Sequence, residues 1–78
     1  MTRVVISVDV STMAEALFVS PLRPVDRPAA SQVRAAIAAS LQTLGIRGCL
    51  GTMAQAFGEH PHTAAARMRW ALGEVRSL

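Results

Sequence analysis

Three prolines fall within eight residues, in Ser20-Pro21-Leu22-Arg23-Pro24-Val25-Asp26-Arg27-Pro28. Each fixes its own φ, removes a backbone donor and pushes the residue before it out of the helical region. No α-helix crosses this segment, so the chain divides into two unequal parts. Residues 1–28 are expected to form an extended N-terminal arm. Residues 29–78 have the pattern of a helical domain.

Within the first part, Val4, Val5, Ile6, Val8 and Val10 are β-branched, with Ser7 and Asp9 alternating at the end. This reads as a short strand. No second strand-like run exists to pair with it, so it pairs with another copy, lies against the helices or stays loose. Thr12 and Glu15 then have capping-box spacing, which suits one or two helical turns over Ser11–Phe18.

From Ala29 onward the spacing becomes helical. Val33, Ile37, Leu41 and Leu44 recur at four, four and three residues and form one face. Ser31 is placed to cap this helix, and Gly45 sits where it ends. A second, short helix is expected from about Cys49 to Phe57, with Leu50, Met53, Ala54 and Phe57 inward and Gly58 as its left-handed stop. Pro61 suits the first turn of a third helix. Ala64, Met68, Ala71, Leu72 and Val75 form its inward stripe. The alanine runs at 35–36, 38–39 and 64–66 favour helix throughout. The expected fold class is therefore all-α: a three-helix helix-turn-helix domain over 29–78, preceded by the arm.

Such a domain is small. Below roughly 80 residues a core supplies only about 3–5 kcal/mol, and staples or partners are often needed. Cys49 is the single cysteine, so no intramolecular disulfide forms, and no Cys/His set has structural zinc spacing. A homodimer is one way to gain stability. The net charge is +3 and every one of the eight basic residues is arginine, which favours a polyanionic partner. No apolar run approaches the roughly 18 residues of a membrane span, and a signal-peptide pattern is absent, so no membrane association is expected. A free thiol fits a reducing compartment, which makes the expected location cytoplasmic, at the nucleoid if the partner is DNA.

The stretch Met53-Ala54-Gln55-Ala56-Phe57-Gly58-Glu59-His60-Pro61-His62-Thr63-Ala64 has a mechanical logic. Ala54 is small enough for the third helix to cross above it, Phe57 points inward, Gly58 turns the chain and Pro61 restarts it. This register resembles region four of bacterial sigma factors and the LuxR-type response-regulator output domains. Met53, Ala54, Phe57, Gly58, Pro61, Thr63 and Ala64 stand in register with their pattern, and Arg67-Met68-Arg69-Trp70-Ala71 resembles the end of the sigma-factor recognition helix. Two positions depart: Glu59 stands where an apolar residue is usual, and Ala64 replaces a bulkier valine. The whole chain also resembles a group of very short actinobacterial proteins with a proline-rich arm and a single helix-turn-helix, among them GATC-binding nucleoid-associated proteins of streptomycetes. Phe18–Leu22, Gln32–Ala36 and Gly58–Thr63 carry that likeness. It implies a sequence-preferring DNA binder.

The third helix then supplies the DNA-binding residues. The start of a recognition helix enters the major groove, so His62, Thr63, Ala65, Ala66 and Arg69 are the base-facing candidates. The two alanine methyls suit a thymine methyl, and Arg69 suits a guanine. Arg67 and Arg47 are expected to hold phosphates. Arg23 and Arg27 stand where an arm reaches the minor groove, the competing reading being a solvated linker.

Each assignment has a plainer alternative. Arg67, Arg69 and Arg76 also suit an ordinary solvated helix face. Trp70 suits partial burial against the first helix or a partner, Cys49 a small core position, and His60 a cap or turn. No Ser-His-Asp set, paired carboxylates or glycine-rich phosphate loop with lysine is present, so the chain is not expected to be an enzyme or to take a cofactor, metal or small-molecule substrate. The competing function is a protein-interaction module, an adaptor for RNA polymerase or another regulator, dimerising through the N-terminal strand.

Overall fold

The computed structural model describes residues 8–78. They form three α-helices and one short 3-10 turn, and no strand occurs among them: α1 spans Val10–Phe18, the turn Pro24–Asp26, α2 Ala30–Glu59 and α3 Pro61–Arg76. Of the strand expected over 4–10, residues 4–7 lie outside the described residues. Val8 and Asp9 are irregular, and Val10 already opens α1.

α1 is the centre of the fold, packed against both α2 and α3. Its cap is Asp9, whose Oδ1 accepts the Thr12 N–H at 2.8 Å, so the Thr12–Glu15 box is not what starts it. Ala14, Ala16 and Leu17 have no exposed surface, and Phe18 is buried beside them. Nearly consecutive buried positions mean burial around most of the helix rather than along one stripe. The two alanines keep its girth small, which lets α2 and α3 approach from different sides. The short helix expected over Ser11–Phe18 is thus present, and its second half, Ala14, Ala16, Leu17 and Phe18, belongs to the core.

The proline segment is free of α-helix, as its composition requires, but it is a compact turn rather than an extended arm. Asp26 Oδ2 accepts the Arg23 N–H at 2.8 Å, and the Arg23 guanidinium lies 3.6 Å from the same carboxylate. Arg27 takes a left-handed φ of 44°.

α2 begins at Ala30, one residue before Ser31. Gln32 Oε1 accepts the Ala29 N–H at 2.7 Å in place of a Ser31 cap. Val33 and Ile37 are buried and Leu41 is half-buried, as their spacing predicts, but Leu44 is 43% exposed. The reason is Gly45, whose φ of 70° and ψ of 172° are non-helical. These dihedrals are essentially reserved for glycine. The helical path breaks there and resumes at once, so the following segment starts earlier than Cys49, and Leu50 is left 47% exposed instead of turned inward. Cys49 is fully buried, and its Sγ–H donates to the Ser40 carbonyl at 3.6 Å.

The corner between α2 and α3 is a single residue. His60 (φ −140°, ψ 72°) donates its N–H to the Ala56 carbonyl at 2.8 Å, and its own carbonyl accepts the Ala64 N–H at 2.9 Å. Gly58 is helical, not left-handed; the left-handed glycine among the described residues is Gly45. A pre-proline residue already disfavours helix, so His60 ends α2 without help from Gly58. Pro61 occupies the first turn of α3, as expected. Ala64, Ala71 and Val75 are buried and Met68 and Leu72 half-buried, which matches the predicted stripe. Ala54 is exposed, so it is not the small residue beneath α3; Ala56 is the half-buried one. Phe57 is half-buried and stacks on Phe18, with centroids 5.9 Å apart.

Candidate nucleic-acid interface

α3 separates its residues cleanly. With Ala64, Ala71 and Val75 facing the core, His62, Thr63, Ala66, Arg69, Gly73 and Arg76 are all exposed. None of them is acidic. Four of the predicted base-facing residues therefore share one open face, while Ala65 is half-buried at its flank. Arg69 has no ion-pair partner among the described residues.

Arg67 departs from its expected role. Its Nε donates to the Phe18 carbonyl at 2.7 Å, and its Nη2 donates to the Ser20 and Leu22 carbonyls, each at 2.8 Å. Three of the five N–H donors of a guanidinium are thereby engaged. The same group lies 5.7 Å from the Phe18 ring centroid and 5.1 Å from that of Trp70. Partial burial lowers its pKa, yet an arginine stays protonated in a protein. Phe18 is the last residue of α1, so a positive charge there complements the helix dipole. Arg67 is a strut that closes α1 onto α3, with three of its donors turned to the protein's own carbonyls rather than outward.

A signal for this was present. Arg67 is three residues after Ala64 and four before Ala71, on the inward stripe itself. An arginine among apolar positions at helical spacing points to an internal partner. Trp70, three residues on, is half-buried and lies under the guanidinium, so its partner is Arg67.

The other predicted contacts lie on separate elements. Arg47 is exposed on α2, two residues past the Gly45 break. Arg23 and Arg27 are exposed on the proline turn, and Arg23 is held by Asp26. That turn is tied to α3 through the Arg67 bonds to Ser20 and Leu22. His60, as expected, is a turn residue.

Among the described residues no three His, Cys, Asp or Glu side chains gather into a metal-holding group. No helix among them is long and apolar enough to cross a membrane. Compared with protein-family models, curated proteins and solved structures, the chain matches none.

Proposed function

We propose that this protein binds double-stranded DNA, with α3 in the major groove, as a nucleoid-associated or transcription-regulating factor. The observation that carries the reading is the exposed, acid-free face of α3, where His62, Thr63, Ala66 and Arg69 stand together. Ala66 has no bulk to hold the helix away from base edges, and an unpaired Arg69 suits the two acceptors of guanine. Arg47 is the candidate for backbone contact, and Arg23 and Arg27 on the proline turn are the candidates for the minor groove. Arg67 leaves that set because three of its five donors are already bonded to the carbonyls of Phe18, Ser20 and Leu22.

A gel-shift titration at two salt concentrations tests this. Affinity is expected to fall steeply with salt, and Arg69→Ala is expected to lose sequence preference. If no duplex binds below about 10 μM at low salt, a level that sequence-independent binding alone reaches, the reading is wrong.

A second reading, a protein-interaction module, has its own observation. Leu44, Ile46 and Leu50 are 43%, 49% and 47% exposed around the Gly45 break. Isolated apolar side chains on a surface are ordinary, but three within seven residues give a protein partner apolar surface to cover. Leu50→Glu separates the readings: it abolishes partner binding under this one and leaves DNA affinity unchanged under the first. The expected N-terminal dimerisation segment lies mostly outside the described residues.

A further inference from the structure

The exposed face of α3 does not end where base reading would end. His62, Arg69 and Arg76 are seven residues apart and all exposed. Seven residues turn an α-helix by nearly two full turns and advance it about 10.5 Å. The three side chains therefore form one ridge that drifts only about 20° per step. Ala66 and Gly73 lie alongside this ridge, so no bulky neighbour shields it. Neither Arg69 nor Arg76 has an ion-pair partner among the described residues. Glu74, the nearest acid in sequence, is two positions from Arg76 and half-buried, and residues so spaced do not face one another on a helix.

Resting on the DNA-binding reading above, we infer that Arg76 is a phosphate contact, so that α3 engages the duplex along its whole exposed length rather than by its first turns. The dimensions carry this. The major groove is about 12 Å wide. If α3 enters the groove by its N-terminal end and rises out of it, an arginine reading a base edge from position 69 places position 76 about 10.5 Å further along the helix axis, nearly a groove width away. At that distance a cation meets the sugar–phosphate wall, where it fixes the helix in place without reading sequence. Arg76 and Arg69 thus divide the work, one setting affinity and the other setting preference.

The test compares wild type, Arg76→Ala, Arg76→Gln and Arg69→Ala. Binding to a selected duplex and to a random duplex is measured across a salt series, with circular dichroism confirming the helices. Because Arg76 is exposed, both of its variants are expected to fold. Each is expected to reduce the slope of log affinity against log salt by about one unit. The loss of affinity between 50 and 200 mM salt then shrinks by roughly threefold. The ratio of selected to random affinity stays at the wild-type value. An unchanged slope in both variants overturns the inference while leaving the DNA-binding reading intact. A relaxed sequence preference overturns it also, because Arg76 would then be reading bases. Failure of the wild type to bind any duplex removes both.

Discussion

Replacing Arg67 with methionine keeps a long side chain and deletes every donor. It removes three hydrogen bonds of 2.7–2.8 Å to Phe18, Ser20 and Leu22, and two cation–ring contacts, to Phe18 and Trp70. A hydrogen bond to a charged group contributes about 1.5–3 kcal/mol, and an exposed cation–π contact about 0.5–1 kcal/mol. These contributions share one guanidinium and do not add. The half-buried site also lets water reach some of the freed carbonyls. A net loss of about 3 kcal/mol is expected. A domain of this length has roughly 4–12 kcal/mol of stability in all. The melting temperature should therefore fall by about 12–24 °C. Urea denaturation followed by far-UV circular dichroism measures the loss, and Trp70 fluorescence reports the strut directly. Arg67→Lys should recover little, because an ammonium cannot present the planar fork that reaches three carbonyls. A loss under about 1 kcal/mol for Arg67→Met, or wild-type stability for Arg67→Lys, refutes the strut. A variant that stays folded but loses DNA affinity would restore Arg67 to the phosphate contacts.

Three further outcomes are expected. Gly45→Ala meets no atom within 4 Å, so its cost is purely conformational, about 1–3 kcal/mol, visible in the same urea titration; an unchanged midpoint would deny the break in α2. Leu17→Ala should cost about 2–5 kcal/mol, and a near-neutral result would return α1 to the status of a dispensable arm. Asp9 has its carboxyl held below the usual range, first by the Thr12 backbone N–H it accepts and next by the Thr12 side chain. A lowered folded-state pKa means that its stabilisation is present above the ordinary carboxylate range and fades as pH falls through the folded value. Asp9→Asn should flatten that part of the stability–pH curve, and an identical curve would exclude the cap.

Much of α2 and α3 was legible because long amphipathic repeats average over many residues. Val33, Ile37 and Leu41, and Ala64 through Val75, show their buried face by spacing alone. Pro61 marked a helix start by chemistry that no tertiary context overrides. α1 was understated because its buried residues are almost consecutive and show no period; only its neighbours reveal that it is central. Leu44 and Leu50 were misplaced because a single glycine redirects the helix between them, and spacing arguments assume an unbroken axis. The open face of α3 was readable for the same reason as its buried face. The partners of Arg67 lie 45 to 49 residues away along the chain. No local pattern predicts such a pairing, although the position of Arg67 on the apolar stripe hints that one exists.

The corner at His60 has a consequence for how this chain tolerates change. One residue ends α2 and begins α3, with its N–H and its carbonyl each bonded to a different helix. There is no slack in which an added residue can hide. An insertion there rotates α3 by about 100° against its seat or pulls it about 1.5 Å along its axis. Either shift takes Arg67 away from the end of α1 and turns Arg69 off its open face. Substitutions on that face leave the frame intact, so the protein is free to vary its outward lettering while the length of its corner is held rigid.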